Sequence, residues 1–176
     1  MLLLVTSIDT AVQTVAIIFI PFIMLAKEVP VTIATGAAVI LLAGGVFGKA
    51  GCGFLSDKIG AFRAFLLVQV LTAIGLIGIA IAPAWFALFL LLPLGCVLQG
   101  SSSITYGHAS GMIDADKMAR GYSLLYAPGT FASIIAPIVF GWHADGHGIT
   151  NATFLMALFV LFSIPPMLLL RNPEKA

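Results

Sequence analysis

Charge is what this chain has least of. Only 9% of its 176 residues are Asp, Glu, Lys or Arg, eight basic against seven acidic, and the formal net charge is +1 at pH 7. Soluble domains carry about a quarter charged residues, so an ordinary water-facing surface is excluded. With no basic patch interleaved with aromatics, nucleic acid is not an expected partner. Cysteine is nearly absent too. Cys52 and Cys96 lie in separate apolar segments and form no Cys-x-x-Cys pair, so they read as small buried hydrophobes and say nothing of redox compartment. No nucleophile, base and orienting group occur together, and no Gly-rich phosphate loop follows a strand, which leaves no enzymatic reading. His143-Ala144-Asp145-Gly146-His147 offers three ligand groups without a fourth, in a stretch that reads as a flexible external loop, so neither metal nor cofactor is expected.

Apolar residues fill the space that charge leaves. They make up 61% of the chain, and the mean hydropathy is +1.15. A helical crossing of the bilayer needs about 20 apolar residues, and six such runs can be marked, at about 1–26, 31–51, 64–82, 85–106, 121–140 and 152–170. The expected fold is therefore an all-α membrane protein, a single six-helix transmembrane domain over 1–176, with no room for a soluble domain. The first run opens at Met1 with no polar region ahead of it and lasts a full membrane width, so it reads as a spanning helix and not as a signal peptide. That abrupt opening gives the expectation that the chain is part of something longer. Within the second run, Gly44 and Gly48 form a small-xxx-small pair that admits another helix closely. Pro83 ends the third run, Trp85-Phe86 begins the fourth at an interface, and Pro128-Gly129 and Pro137 interrupt the fifth. Residues 107–120 read as the longest polar connection, with Asp114-Ala115-Asp116-Lys117 as a surface turn or helix start. Asn151-Ala152-Thr153 is a glycosylation sequon by pattern.

Basic residues are biased to the cytoplasmic side of membrane proteins. Alternating the side at each crossing puts Lys49, Lys58, Arg63, Lys117, Arg120, Arg171 and Lys175 on one face and Lys27 alone on the other. The expected orientation has the 53–63 turn, the 107–120 connection and the C-terminus in the cytoplasm of a cell membrane, and the 141–151 loop outside.

Polar residues within the runs are unevenly shared. The third and sixth runs offer only Gln69, Thr72 and Ser163, as expected of helices facing lipid, whereas the first, fourth and fifth carry Asp9, Gln13, Gln99, Ser101, Ser102, Ser103, Thr105, Tyr122, Tyr126, Thr130 and Ser133. This points to a solute path along the latter three. Asp9 is the sharpest of them, since an Asp at a helix centre costs about 2.5–3.5 kcal/mol on insertion scales. A rise of about 1.5 Å per residue puts it about 13 Å into the segment, and Gln13 lies one turn further on the same face. Asp9 is expected either to face an aqueous cavity, touching substrate or exchanging a proton, or to bond a neighbouring helix. Gln99, Ser103 and Tyr106 share one face of the fourth run, as Tyr126, Thr130 and Ser133 do on the fifth. Gln99 and Tyr126 are further substrate candidates, and the hydroxyls are expected to serve as interhelical glue. Pro128-Gly129 either opens the fifth helix toward the cavity or simply kinks it.

The most specific stretch is Gly53-Phe54-Leu55-Ser56-Asp57-Lys58-Ile59-Gly60-Ala61-Phe62-Arg63, a charged turn between two long apolar runs. It resembles the loop between the second and third helices of each half of major facilitator superfamily transporters. Gly53, Leu55, Asp57, Lys58, Gly60 and Arg63 fit that pattern, while Ala61 and Phe62 stand where the family often has Arg or Lys. The resemblance implies the C-terminal six-helix half of a secondary transporter, rocking against an N-terminal half or a second copy around a midplane site. It implies a small-molecule substrate with or without a coupled proton, gating roles for Asp57 and Arg63, and close approach at Gly53 and Gly60. The competing reading is a six-helix structural or assembly protein, or an inactive transporter fragment.

Overall fold

The computed structural model describes residues 1–111, 113 and 115–170, all of them helical or in short connections, with no strand among the described residues. The helices are α1 (Leu2–Ala26), α2 (Val31–Ile59), α3 (Ala61–Ile81), α4 (Ala84–Ser110), α5 (Met118–His147), α6 (Ile149–Leu161) and α7 (Ile164–Leu170), with one 3-10 turn at Ala115–Lys117. Six spans are long and apolar enough to cross a membrane, α6 and α7 supplying the last, Ile149–Leu169. This is the six-helix, all-α membrane architecture expected.

Two interlocked pairs organise the bundle: α2 lies along α4, α1 lies along α5, and α3 packs on α4 and α6. The α2–α4 seam is closed by glycine. A Cβ at Gly44 would collide with the Leu92 carbonyl, one at Gly48 with the backbone of Cys96, and one at Gly95 with the Leu41 carbonyl. The Gly44/Gly48 pair thus does what its spacing predicts, letting backbones meet where a side chain would hold them apart. Around the seam Ile20, Met24, Leu41, Leu76, Ile79 and Leu91 are fully buried. The outer surface is apolar as well: Val46 and Phe47 on α2, Leu67, Ile74 and Ile81 on α3, and Phe131, Ile138 and Trp142 on α5 are exposed. In water such a surface would be an aggregation hazard, whereas in lipid it is the ordinary exterior.

Several boundaries differ from the sequence expectation. The second helix continues to Ile59, so Gly53, Asp57 and Lys58 lie on helical backbone and only Gly60 turns the chain. The fifth runs from Met118 to His147 through Pro128 and Pro137, so it is not opened at Pro128-Gly129, and most of the supposed 141–151 loop is helix ended by Gly148. Polarity marks where a segment leaves the apolar layer, but the backbone keeps its helical bonds well past that point. The 107–120 connection shrinks to 111–117, because α4 reaches Ser110. Asp114, Arg171 and Lys175 lie outside the described residues. Asn151 sits in the first turn of α6, its amide donating to the His147 carbonyl at 2.7 Å.

The α1 end explains the one basic residue on the minority side. Glu28 N–H bonds the Leu25 carbonyl and Val29 N–H the Met24 carbonyl, a Schellman ending with Glu28 at φ 61°. This turns Lys27 toward the end of α3, where its Nζ donates to the carbonyls of Ala80 and Ala82 at 3.0 and 2.6 Å. Its ammonium satisfies carbonyls that a helix end leaves open.

Candidate functional site

Asp9 stands on the inward stripe of α1 with Val5, Val12 and Ala16, all buried, and is itself only 4% exposed. The carboxylate is bonded to neighbouring helices, as one of the two expectations had it. The Ser101 hydroxyl on α4 lies 2.7 and 2.9 Å from its two oxygens. Gln13 Nε2, one turn along α1, donates to Oδ2 at 2.7 Å and also lies 3.2 Å from Ser101 Oγ. Gln69 Nε2 on α3 donates to Oδ1 at 3.2 Å and to Ser163 Oγ at 2.9 Å.

Ser163 is brought there by a local break. Pro165 and Pro166 have no N–H to continue a helix inward from α6, but they fit the first turn of a new one. The chain therefore stops α6 at Leu161 and restarts at Ile164. In the gap Ser163 Oγ donates to the Val160 carbonyl at 2.6 Å and accepts from Gln69. Three helices, α1, α3 and α4, thus meet on one acid through neutral donors only, and Ser163 holds one of those donors from behind. The buried Gln69 Oε1 has no hydrogen-bond partner among the described residues.

Gln69, Thr72 and Ser163 were expected on lipid-facing helices, and this is corrected: all three are fully buried. The helices do face lipid, but with their other sides. Their polar residues turn inward because a buried amide needs partners and lipid supplies none. Because α3 is apolar on every side, no periodicity marked its inner face. Gln69 could still have been found, one turn from both Phe65 and Thr72 on the stripe that is buried.

The other candidates fall elsewhere. Gln99 is nearly buried in the α2–α4 seam, its side chain laid against Gly45. Tyr126 is half exposed on α5, stacked on Tyr106 of α4 with ring centroids 4.8 Å apart, and Tyr122 lies near the same ring at 6.3 Å. The Tyr122 hydroxyl reaches the Tyr106 carbonyl at 3.4 Å. Thr130 and Ser133 bond the carbonyls of their own helix, at Tyr126 and Thr130, and are not interhelical glue. Gly129 admits Thr10 of α1, whose hydroxyl would lie 3.1 Å from a Cβ there.

At the Gly60 end, Asp57 and Arg63 are exposed and make no ion pair among the described residues, while Lys58 Nζ sits 4.5 Å over the Phe54 ring. A Cβ at Gly53 or Gly60 would meet nothing within 4 Å, so neither gives a close approach inside this bundle. Gly60 instead holds φ 86°, ψ 145°, a conformation a side chain resists. Asp57 lines a depression of about 370 Å³ with Gly53, Ser56, Ser103 and His108. Among the described residues no group of three His, Cys, Asp or Glu is placed to hold a metal. Instead, the His143 and His147 rings stack on each other at 4.5 Å.

A sequence model described as Major Facilitator Superfamily matches residues 2–176. No curated protein and no solved structure matches the chain.

Proposed function

The chain belongs to the Major Facilitator Superfamily, a family of membrane transporters, and from that premise we propose that it moves a small organic solute by alternating access, as one six-helix half rocking against another. The observation that carries this reading is Asp9. An acid held between membrane helices by neutral donors alone is expensive unless its charge is neutralised. A proton or a cationic group arriving at Asp9 changes which oxygens can accept, and Ser101, Gln69 and Gln13 must rearrange with it. Since those donors belong to α4, α3 and α1, loading the acid alters how the helices are tied. That is the coupling an ion- or proton-linked carrier needs, with no role for ATP.

In this reading Gln13, half-buried beside Asp9, links the acid to the surface of the bundle, and Tyr126 on its Tyr106 platform offers a face for the solute. Gln99 supports the wall by filling the space over Gly45. Asp57 and Arg63 meet the opposing half at the Gly60 end and hold one state of the cycle. That end is cytoplasmic, because Lys49, Lys58, Arg63, Lys117 and Arg120 gather there, and the membrane is the cell membrane. The opposing half is an N-terminal six-helix bundle or a second copy.

Counterflow tests the proposal. The complete protein is reconstituted into liposomes loaded with one unlabelled solute from a panel of small organic acids, amines and neutral solutes, and entry of the labelled solute is followed. A carrier that alternates gives a transient overshoot driven by the trapped solute. Entry equal to that of empty liposomes across the panel would overturn the reading.

A further inference from the structure

The turn after α2 has a twin. Gly53, Asp57 and Gly60 are spaced Gly, three residues, Asp, two residues, Gly, and Gly141, Asp145 and Gly148 repeat that spacing half the length of the 176-residue chain later. The structure repeats with it. Both stretches are the last turns of a long helix, α2 and α5, and both helices end on a glycine of one conformation, φ 86°, ψ 145° at Gly60 and φ 86°, ψ 153° at Gly148. Gly60 N–H bonds the Ser56 carbonyl at 2.9 Å, and Gly148 N–H bonds the Ala144 carbonyl at 2.8 Å. Each glycine carbonyl then accepts the first bond of the next helix, from Ala64 and from Ala152.

The surroundings correspond as well. Gly53, Ser56, Asp57 and Ala61 line the depression beside α4, and Gly141, Ala144, Asp145 and Ile149 line one of about 310 Å³ beside α1, where Phe19 and Phe22 form its wall. Exchanging α1–α3 with α4–α6 carries the α2–α4 pair onto α5–α1, the two most extensive contacts of the bundle. Because odd numbers of crossings separate them, the two turns lie at opposite ends of the bundle.

Each aspartate is exposed and has no hydrogen-bond or ion-pair partner among the described residues. Each also sits in the last turn of its helix, where the dipole is negative and an acid is disfavoured. Among the described residues no ion pair offsets that placement at either end. The depressions beside them are open to a neighbour.

We propose that Asp145 is a second latch, which accepts a cationic side chain from the opposing six-helix half at the Gly148 end and holds that end closed, as Asp57 does at the Gly60 end. The inference rests on the alternating-access reading. Each latch is made only when its own end is shut, so the two oppose each other and their balance sets which state is populated.

The test measures access from both ends in the complete native polypeptide, in membranes. A cysteine is placed at Ser103, beside Asp57, or at Phe22, beside Asp145, and its rate of labelling by a small maleimide is read. Asp145→Asn should raise labelling at the Phe22 position and lower it at the Ser103 position, each by about fivefold. Asp57→Asn should do the reverse, and the double variant should return the ratio to the parental one. Asp145→Glu, which keeps the carboxylate, should stay near parental values, separating a latch from a folding defect. If Asp57→Asn shifts the ratio and Asp145→Asn does not, or if both shift it the same way, the second latch is wrong while the carrier reading stands. Absence of solute counterflow in the same preparation would instead remove the reading beneath it.

Discussion

Gly48→Ala is the substitution whose consequence is most directly dictated by the structure. A Cβ at Gly48 would lie 2.5 Å from the Cα and 2.6 Å from the carbonyl carbon of Cys96, with the carbonyl oxygen nearer still. Carbon atoms rest about 3.5–4.0 Å apart, so α2 and α4 would have to part by about 1 Å. No rotamer change relieves this, because the obstacle is backbone. Nor can the shift stay local, since Gly44 and Gly95 hold the same seam at the same closeness. Overpacking of this kind costs about 1–3 kcal/mol, and the upper part of that range is expected here. Gly51→Ala is the internal control: it lies one turn further along α2, and a Cβ there meets nothing within 4 Å. In a helix interior that exchange favours Ala by about 1 kcal/mol. Thermal unfolding of the detergent-solubilised protein, followed by size-exclusion of the surviving monodisperse fraction, should show Gly48→Ala melting several degrees below the parent and Gly51→Ala at or above it. Equal melting of the two variants would refute the glycine seam as the determinant of α2–α4 packing.

Ser101→Ala takes from Asp9 the donor that reaches both its oxygens, and a hydrogen bond to a charged group is worth about 1.5–3 kcal/mol. The same unfolding assay should show that loss, and it should shrink when Asp9 is already Asn. Lys27→Met removes both donors from the α3 end while keeping the aliphatic stem, with an expected loss of about 1–3 kcal/mol, whereas Lys27→Arg should retain most of it. Glu28→Gly should stabilise by about 1 kcal/mol, because Glu28 holds a left-handed conformation that glycine adopts freely. Gly148→Ala should destabilise by about 1–3 kcal/mol through its backbone conformation alone, since a Cβ there meets open space.

What the sequence made legible follows from what lipid demands. Six apolar runs of membrane width required six helices, and Gly44 with Gly48 announced a close seam, because both are properties of composition over a few turns. The ends of α2 and α5 were hidden, because charged residues mark the water boundary and a helix crosses it without changing its bonds. Gln69 was misplaced for a related reason: a helix apolar all round gives no hint of its inner face until its neighbours are known. Ser163 needed one step more, the break that Pro165 and Pro166 impose. Asp9 was legible as an anomaly, and its partners Ser101 and Gln69 were not, since they come from two other helices. The repeat of Gly53, Asp57 and Gly60 at Gly141, Asp145 and Gly148 was open to inspection, but its meaning appears only when both glycines show one backbone conformation at opposite ends of the bundle.

In the carrier proposed above, Asp9 couples an ion or proton to the movement of solute. Asp9→Asn in the complete protein, assayed in liposomes for solute flux at a series of external pH values, addresses it most directly. The Asn variant is expected to keep its abundance and fold, since the amide can still accept from Ser101, while gradient-driven accumulation is lost and the residual exchange no longer responds to pH. Accumulation and pH dependence identical to the parent would contradict it, and would leave Asp9 as no more than a tie between helices.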